Sequence, residues 1–282
     1  MEEFRKISRV IHGQPTSDGA GVRLTRIFGV YEQGLLDPFL LLDFFVTDNP
    51  SDYLAGFPWH PHRGMETVTY MLEGQVEHSD SLGNSGVIGK GDIQWMTAGS
   101  GVIHQEMPKD TGGRVGGFQL WVNLPAAQKM IAPHYQDIPA SKTPVVVLPN
   151  GVVVKVLAGS FQGRSGPLEN IIADPDYFDV EMPAHTEFIT SVNTDYTVFA
   201  YLFEGRAHLD DSRSEPLRAG QGALFGKGPH VKITSGKTSA RFILIAGKPI
   251  GEPVAWRGPV VMNTEAELTL AFKELRENKF IK

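Results

Sequence analysis

The 282-residue sequence contains no cysteine. That absence excludes disulfides, zinc–thiolate sites and cysteine nucleophiles, and it fits a reducing compartment. Positive charge is also short, 26 Lys+Arg against 32 Asp+Glu for a net charge of -6. A general nucleic-acid binder needs a basic surface to neutralise phosphates, so that class is disfavoured. Long apolar runs are missing as well. The most apolar stretches are 39–46, broken by Asp43, and 242–246, and both are too short to cross a bilayer. Met1-Glu2-Glu3-Phe4-Arg5-Lys6 lacks the apolar core of a signal peptide. The expectation is a soluble, cytoplasmic protein with no membrane and no direct nucleic-acid partner.

What is present is turn chemistry and alternation. The 31 glycines and 19 prolines favour short strands over long helices. Strand signals occur at Val22–Phe28 and 39–45. Another runs from the histidines of 59–62 through Glu66 to Leu72. Further signals follow at Gln75–Asp80, Gln94–Met96, Val102–Glu106 and Phe118–Leu124. Turns are expected at Glu73-Gly74, Ser81–Ser85 and Gly89–Asp92. The periodic signal fades over 126–144, a candidate inter-domain connection, and strands resume at 145–148 and 152–157. The chain closes with a helix, begun by the capping box Thr264-Glu265-Ala266-Glu267 and carrying the apolar stripe Leu268, Ala271, Phe272, Leu275.

The chemistry concentrates in two segments, Trp59-His60-Pro61-His62-Arg63-Gly64 and Gly101-Val102-Ile103-His104-Gln105-Glu106. Each holds two potential metal ligands at spacing i, i+2, which a strand places on one face. If the two segments are neighbouring strands, His60, His62, His104 and Glu106 converge. Imidazoles with a carboxylate suit a first-row divalent metal, and with positions left open they suit non-haem Fe(II). Glu66, four residues after His62, has the parity to face the same point and is the alternative carboxylate.

An internal repeat is visible. Tyr70–His78 resembles Tyr201–Leu209 around a shared Glu-Gly turn, Gly89-Lys90-Gly91 meets Gly220-Gln221-Gly222, and Phe118–Pro125 matches Phe242–Pro249. On this register His60 and His62 fall on Ser191 and Asn193, and Glu106 falls on Lys232 when His104 aligns with His230. The second copy is therefore expected to lack the metal. The domain boundaries expected are 1–130 for a metal-binding unit and 131–282 for a second unit with the terminal helix.

Two copies of a small barrel with an H-x-H strand and a later glycine-led histidine strand resemble the cupins. A narrower resemblance is to the pirin family. It is carried by Leu41-Leu42-Asp43-Phe44-Phe45, Gly56–Val68, Gly91–Gly99, Gly101–Glu106 and Phe118–Pro125. The resemblance implies an all-β fold of two tandem cupin (double-stranded β-helix, jelly-roll) barrels with a short C-terminal helix. It implies one Fe(II) per chain, with other divalent metals accepted on isolation. The ligands it implies are His60, His62, His104 and Glu106; Glu106, on loosening from the metal, is the expected general base for the substrate hydroxyl. The activity implied is that of a quercetin 2,3-dioxygenase, an oxidoreductase that cleaves a flavonol with O2 and releases CO. Other pirins are regulators, as transcription cofactors or partners of a metabolic enzyme, so the alternative is an iron-dependent redox sensor with a protein partner.

The remaining candidates have plainer readings. Trp59, Trp95, Met96 and Phe118 line the cavity or fill the core. Arg63 is read as a surface ion pair, and Asp80, Asp92, Asp210 and Asp211 as turn chemistry and solvated charge. His12, His78, His134, His185, His208 and His230 receive no functional role.

Overall fold

A computed structural model describes residues 3–169, 171–210 and 215–282, so Met1, Glu2 and Asp211 lie outside the described residues. The chain forms two β units. One comprises 14–140 with 250–282, and the other 1–13 with 141–249. This division differs from the expected cut at 130/131. Strand His134–Ile138 pairs with Ile93–Thr97, so the first unit runs on past 130. Strand Ile7–His12 pairs with Gln221–Phe225, and the terminal helix packs on strands Ala255–Arg257 and Val260–Met262. Each chain end thus completes the unit built from the other half of the sequence.

The 14–140/250–282 unit is a two-layer antiparallel barrel. Its larger layer runs His134–Ile138, Ile93–Thr97, Met65–Glu73, Val115–Asn123, Phe39–Thr47, Val22–Phe28, Gln14–Asp18. The smaller runs Phe57–His62, Val102–Lys109, Gln75–Asp80, Ser85–Gly89. The expected strand from the histidines to Leu72 is in fact two strands, one in each layer. They break at Gly64, which has φ +77 and so close an approach to the carbonyl of Val261 that no Cβ fits.

Glycine also shapes the turns of the repeat. Gly74 and Gly205 both have φ near +75, and Gly91 and Gly220 both lie near +87. The terminal helix spans Glu265–Arg276. Thr264 Oγ1 accepts from the Glu267 N–H, and the Glu267 carboxylate accepts from the Thr264 N–H, the capping box read from sequence. Leu268 and Ala271 are buried against Val260, Met262 and Phe280, and burying a leucine of this kind stabilises by about 1.5–3 kcal/mol.

Among the described residues the 1–13/141–249 unit is built on a nine-stranded antiparallel sheet, with a separate short ladder of Ser160–Phe161 and Arg164–Ser165. It is organised around the long strand His230–Gly247, whose first half pairs with Glu187–Ser191 and whose second half pairs with Thr197–His208 and Asp176–Met182. Ser191 lies opposite His230, but both strands turn these residues outward. Phe188, Thr190, Val231 and Ile233 face inward, and Phe188, Val192, Val231 and Ile233 belong to a continuous apolar core. The register read from sequence is therefore one residue out. A one-residue slip exchanges the two faces of a strand, so the positions that in the other unit carry ligand-type side chains here carry apolar ones. Asp210 is likewise not solvated: it is buried and accepts the Ile7 N–H at 2.6 Å.

Arg5 closes this unit. Its side chain is buried, and its guanidinium donates to five backbone carbonyls. Nε reaches Gly228 at 2.8 Å, Nη1 reaches Tyr196 and Gly226 at 2.9 Å, and Nη2 reaches Asn193 at 2.7 Å and Thr194 at 3.1 Å.

Candidate metal centre

Strand Phe57–His62 lies beside Val102–Lys109, with His60 opposite His104 and His62 opposite Val102. The i, i+2 spacing therefore brings together three of the four expected ligands, His60, His62 and His104, while Glu106 stands outside the group. The ligand atoms of the three imidazoles lie within 4.8 Å of one another. His60 Nε2 is 3.0 Å from His62 Nε2 and 3.0 Å from His104 Nε2. Among the described residues no other group of three or more His, Asp or Glu converges in this way.

The arrangement fits a cation better than it fits hydrogen bonding. His60 Nδ1 lies 2.9 Å from the Pro58 carbonyl. Donation there fixes the tautomer and leaves the Nε2 lone pair facing the cluster. One lone pair cannot satisfy two neighbours at 3.0 Å, whereas a single cation can take three inward lone pairs. Two nitrogens about 2.1 Å from one ion and about 90° apart are about 3.0 Å from each other, which is the spacing present. Burial, reinforced by repulsion from neighbouring imidazoles, holds His62 and His104 well below the usual histidine range, so both are neutral and able to ligate. A backbone hydrogen bond to Pro259 opposes the lowering at His62, which holds the ring with Nε2 toward the cluster, as a ligand histidine is held through its other nitrogen. An N-donor set of this kind suits a divalent first-row metal.

Glu106 shares the face of His104, though the ladder shifts between them so that Glu106 pairs with Phe57. Its carboxylate is buried and accepts from Thr69 Oγ1 at 3.2 Å. Burial pushes its pKa up, against the pull of His60, Thr69 and His78. Glu66 is also buried, but it accepts from Thr97 Oγ1 at 2.8 Å and stands on the opposite face of its strand from Thr67 and Thr69. Parity does not carry from His62 to Glu66, because the chain changes layer at Gly64.

The other sequence candidates divide. Trp59 is 54% exposed. Trp95 and Phe118 are buried on the far face of the larger layer, Phe118 stacked on Phe44 at 4.8 Å. Met96 is the Cα partner of both Thr67 and Tyr135 and shares their inward face. Arg63 does form an ion pair, but not at the surface. It is buried, with Nη1 2.6 Å from Glu274, Nη2 donating to the Phe280 carbonyl at 2.7 Å, and the guanidinium 4.1 Å from the Phe280 ring centroid. Asp80 and Asp92 do hold turns, accepting backbone N–H groups of Leu82, Asn84, Gly89 and Ala140.

Several neighbours of the cluster were not singled out from sequence. Trp121 meets His62 edge to face at 5.1 Å. His78, the Cα partner of Glu106 on the adjacent strand, is buried, stacks on Tyr135 at 5.9 Å and sits 3.6 Å from Asp137. The His78 imidazole 3.6 Å away, helped by the Gln94 amide, holds Asp137 below the usual carboxylate range. A polar row also crosses the inward face of the larger layer: Arg26, Asp43, Gln119, Thr69, Gln94 and Asp137 are successive Cα partners on six strands. Contacts along it include Arg26–Asp43 (2.7 and 2.9 Å), Gln119–Thr69 (2.7 Å) and Gln94–Asp137 (2.9 Å). The sequence signal was there, as polar residues alternating with apolar ones in Thr67-Val68-Thr69-Tyr70 and Gln94-Trp95, but alternation alone does not say which face is the interior.

Known proteins agree with this fold. The Pirin family profile matches residues 21–122, and the Pirin C-terminal cupin domain profile matches residues 177–281. A pirin-like protein of Caulobacter vibrioides is 48% identical over 277 residues, covering 98% of this chain and 99% of that protein. The crystal structure of a quercetin 2,3-dioxygenase from Acinetobacter baumannii superposes with a TM-score of 0.91 at 31% identity, covering 99% of both chains. A bacterial pirin from Escherichia coli in complex with nickel(II) shares the fold at a TM-score of 0.66 and 20% identity, covering 86% of this chain and 98% of that one. No described helix is long and apolar enough to cross a membrane. By profile, by relatives along its whole length and by fold, the chain belongs to the pirin family of two-barrel cupins.

Proposed function

We propose that this protein is an Fe(II)-dependent dioxygenase that opens flavonol-type aromatic enols, with His60, His62, His104 and Glu106 as the metal ligands. The observation that carries this reading is the trio of inward Nε2 atoms at 3.0 Å spacing, beside a buried carboxylate. Bound Fe(II) would supply Lewis acidity toward the substrate's 3-hydroxyl oxygen and a redox partner for O2. Glu106 accepts the hydroxyl proton. Its pKa, raised by burial, brings it nearer neutrality, where a carboxylate serves better as a base. Trp121, Met96 and Tyr135 form walls that receive aromatic rings and exclude water. Both atoms of O2 enter the ring-opened ester, and the carbon lost from the heterocycle leaves as CO.

The test is oxygen uptake on adding quercetin to anaerobically Fe(II)-loaded protein, with His62→Ala treated identically. Rapid uptake with CO release, lost in the variant, is expected. No uptake by protein shown to hold one iron removes flavonol oxygenation. Partner binding compared between the two iron oxidation states then tests the regulatory alternative.

A further inference from the structure

We propose that Thr69, backed by Gln119, is a positioning residue that orients the Glu106 carboxylate toward the three histidines. The inference rests on the reading of Glu106 as a ligand and adds a residue that neither strand motif contains. Thr69 is buried on Met65–Glu73, in the larger layer, and reaches across the barrel to Glu106 Oε1 at 3.2 Å. Behind it, Gln119 is its direct Cα partner on Val115–Asn123, and the Gln119 amide lies 2.7 Å from Thr69 Oγ1.

The proton count gives this contact a direction. A hydroxyl has one proton to donate and lone pairs to accept with. An ionised carboxylate only accepts, so the Thr69 proton goes to Glu106. Gln119, whose Oε1 faces Thr69 Oγ1 in the structure, must then turn its amide over to present N–H to Thr69, an exchange of O and N that leaves the heavy-atom positions unchanged. The result is a one-way chain, Gln119 N–H to Thr69 O–H to Glu106 Oε1, which engages one carboxylate oxygen and leaves Oε2 for a cation. Two neighbouring strands of one sheet, in direct register, thereby fix a ligand that belongs to the facing sheet. The ladder irregularity between His104 and Glu106 makes such a hold necessary, because the strand alone does not keep the two ligand side chains at regular spacing.

The interior of the other unit supplies the contrast. There the inward positions are filled by Val154, Val180, Phe242 and Leu202, successive Cα partners on four strands, and by their apolar neighbours. A polar row inside a barrel opposes burial unless each member is bonded. That cost has an evident use where the row touches a ligand side chain.

The experiment measures Co(II) affinity by chelator competition and the visible d–d spectrum of the Co(II)-loaded protein. The variants are Thr69→Val, Thr69→Ser, Glu106→Gln and Thr69→Val/Glu106→Gln. Removing a group that orients a metal ligand typically weakens binding about 10–100-fold. The expected result is Thr69→Val about tenfold weaker with an altered spectrum, and Thr69→Ser close to wild type. The double variant should bind no more weakly than Glu106→Gln, because Thr69 acts only through that carboxylate. If Glu106→Gln weakens binding while Thr69→Val leaves affinity and spectrum unchanged, the positioning role is overturned and the ligand stands. If Glu106→Gln itself leaves both unchanged while His104→Ala abolishes binding, the ligand assignment fails and the positioning role fails with it. A loss in Thr69→Val that Thr69→Ser shares, or that adds in full to Glu106→Gln, is structural and also overturns the proposal.

Discussion

Replacing Arg5 with alanine should destabilise the 1–13/141–249 unit far more than its place near the chain terminus suggests. All five guanidinium N–H donors are engaged by the carbonyls of Asn193, Thr194, Tyr196, Gly226 and Gly228. A hydrogen bond contributes about 1 kcal/mol net, and more when one partner is charged, so the side chain supplies on the order of 5 kcal/mol. Water entering the vacated space restores some of the carbonyl bonds, which lowers the expected loss to about 3–4 kcal/mol. At about 2–4 °C per kcal/mol for a unit of this size, its thermal transition should fall by about 10 °C. Arg5→Lys is the sharper probe. An ammonium has three donors on one nitrogen and cannot span five carbonyls, so roughly half the loss should persist although the charge is kept. Urea denaturation gives the magnitude, and amide hydrogen exchange at 193–196 and 226–228 gives the location, since two units preclude a single two-state transition. An Arg5→Ala protein within about 1 kcal/mol of wild type, or an Arg5→Lys protein indistinguishable from it, would refute the reasoning by showing that these carbonyls are adequately hydrated without the guanidinium.

Burial, with help from the Asp174 charge, raises Asp176 to about 6 against an N–H from Ser160. The folded state then holds this proton more tightly than the unfolded state does, so stability falls as pH rises from about 4 to about 6 and is level above that. Asp176→Asn should exceed wild type by about 1–2 kcal/mol at pH 8, with the gain fading below pH 4 in pH-resolved denaturation curves. Gly64→Ala, forced into φ +77 and against the Val261 carbonyl, should cost more than about 2 kcal/mol and lower metal occupancy, read by elemental analysis. Arg63→Met removes a buried guanidinium that bonds both Glu274 and the Phe280 carbonyl, while Glu274, only half-buried, keeps Lys282; the loss should be about 1–3 kcal/mol, seen as an earlier transition of the 14–140/250–282 unit. Metal loading should raise that same transition, and the rise should vanish in His62→Ala.

The histidine trio was legible because it depends only on strand parity, which His60-Pro61-His62 and His104-Gln105-Glu106 display on their face. The repeat was legible through its glycines, since Gly74 and Gly205 need the same left-handed backbone. What failed did so where parity is reset. Gly64 moves the chain from one layer to the other, so the count from His62 to Glu66 carried no information about facing. The second copy slipped by one residue because alignment of Ser191 with His60 preserved the strand pairing and reversed the face. Arg5 and Thr69 escaped notice, and Arg63 was placed at the surface, for a third reason. Each is a polar residue whose partners are 37 or more positions away, and no local pattern separates a buried, bonded side chain from a solvated one.

The buried Arg63 has a consequence for how the protein is made. It follows His62 directly, yet the groups that hold it, Glu274 and Phe280, are synthesised 211 and 217 residues later. Between them the whole of 141–249 is synthesised, a unit able to begin folding as it emerges. The barrel formed from 14–140 therefore waits, with the corner beside its histidines unsecured, until 274–280 have emerged. A chain cut before residue 274, or a restraint placed on 274–280, should yield protein with an intact second unit and poor metal retention, a defect of biogenesis located some distance along the chain from the ligands it disables.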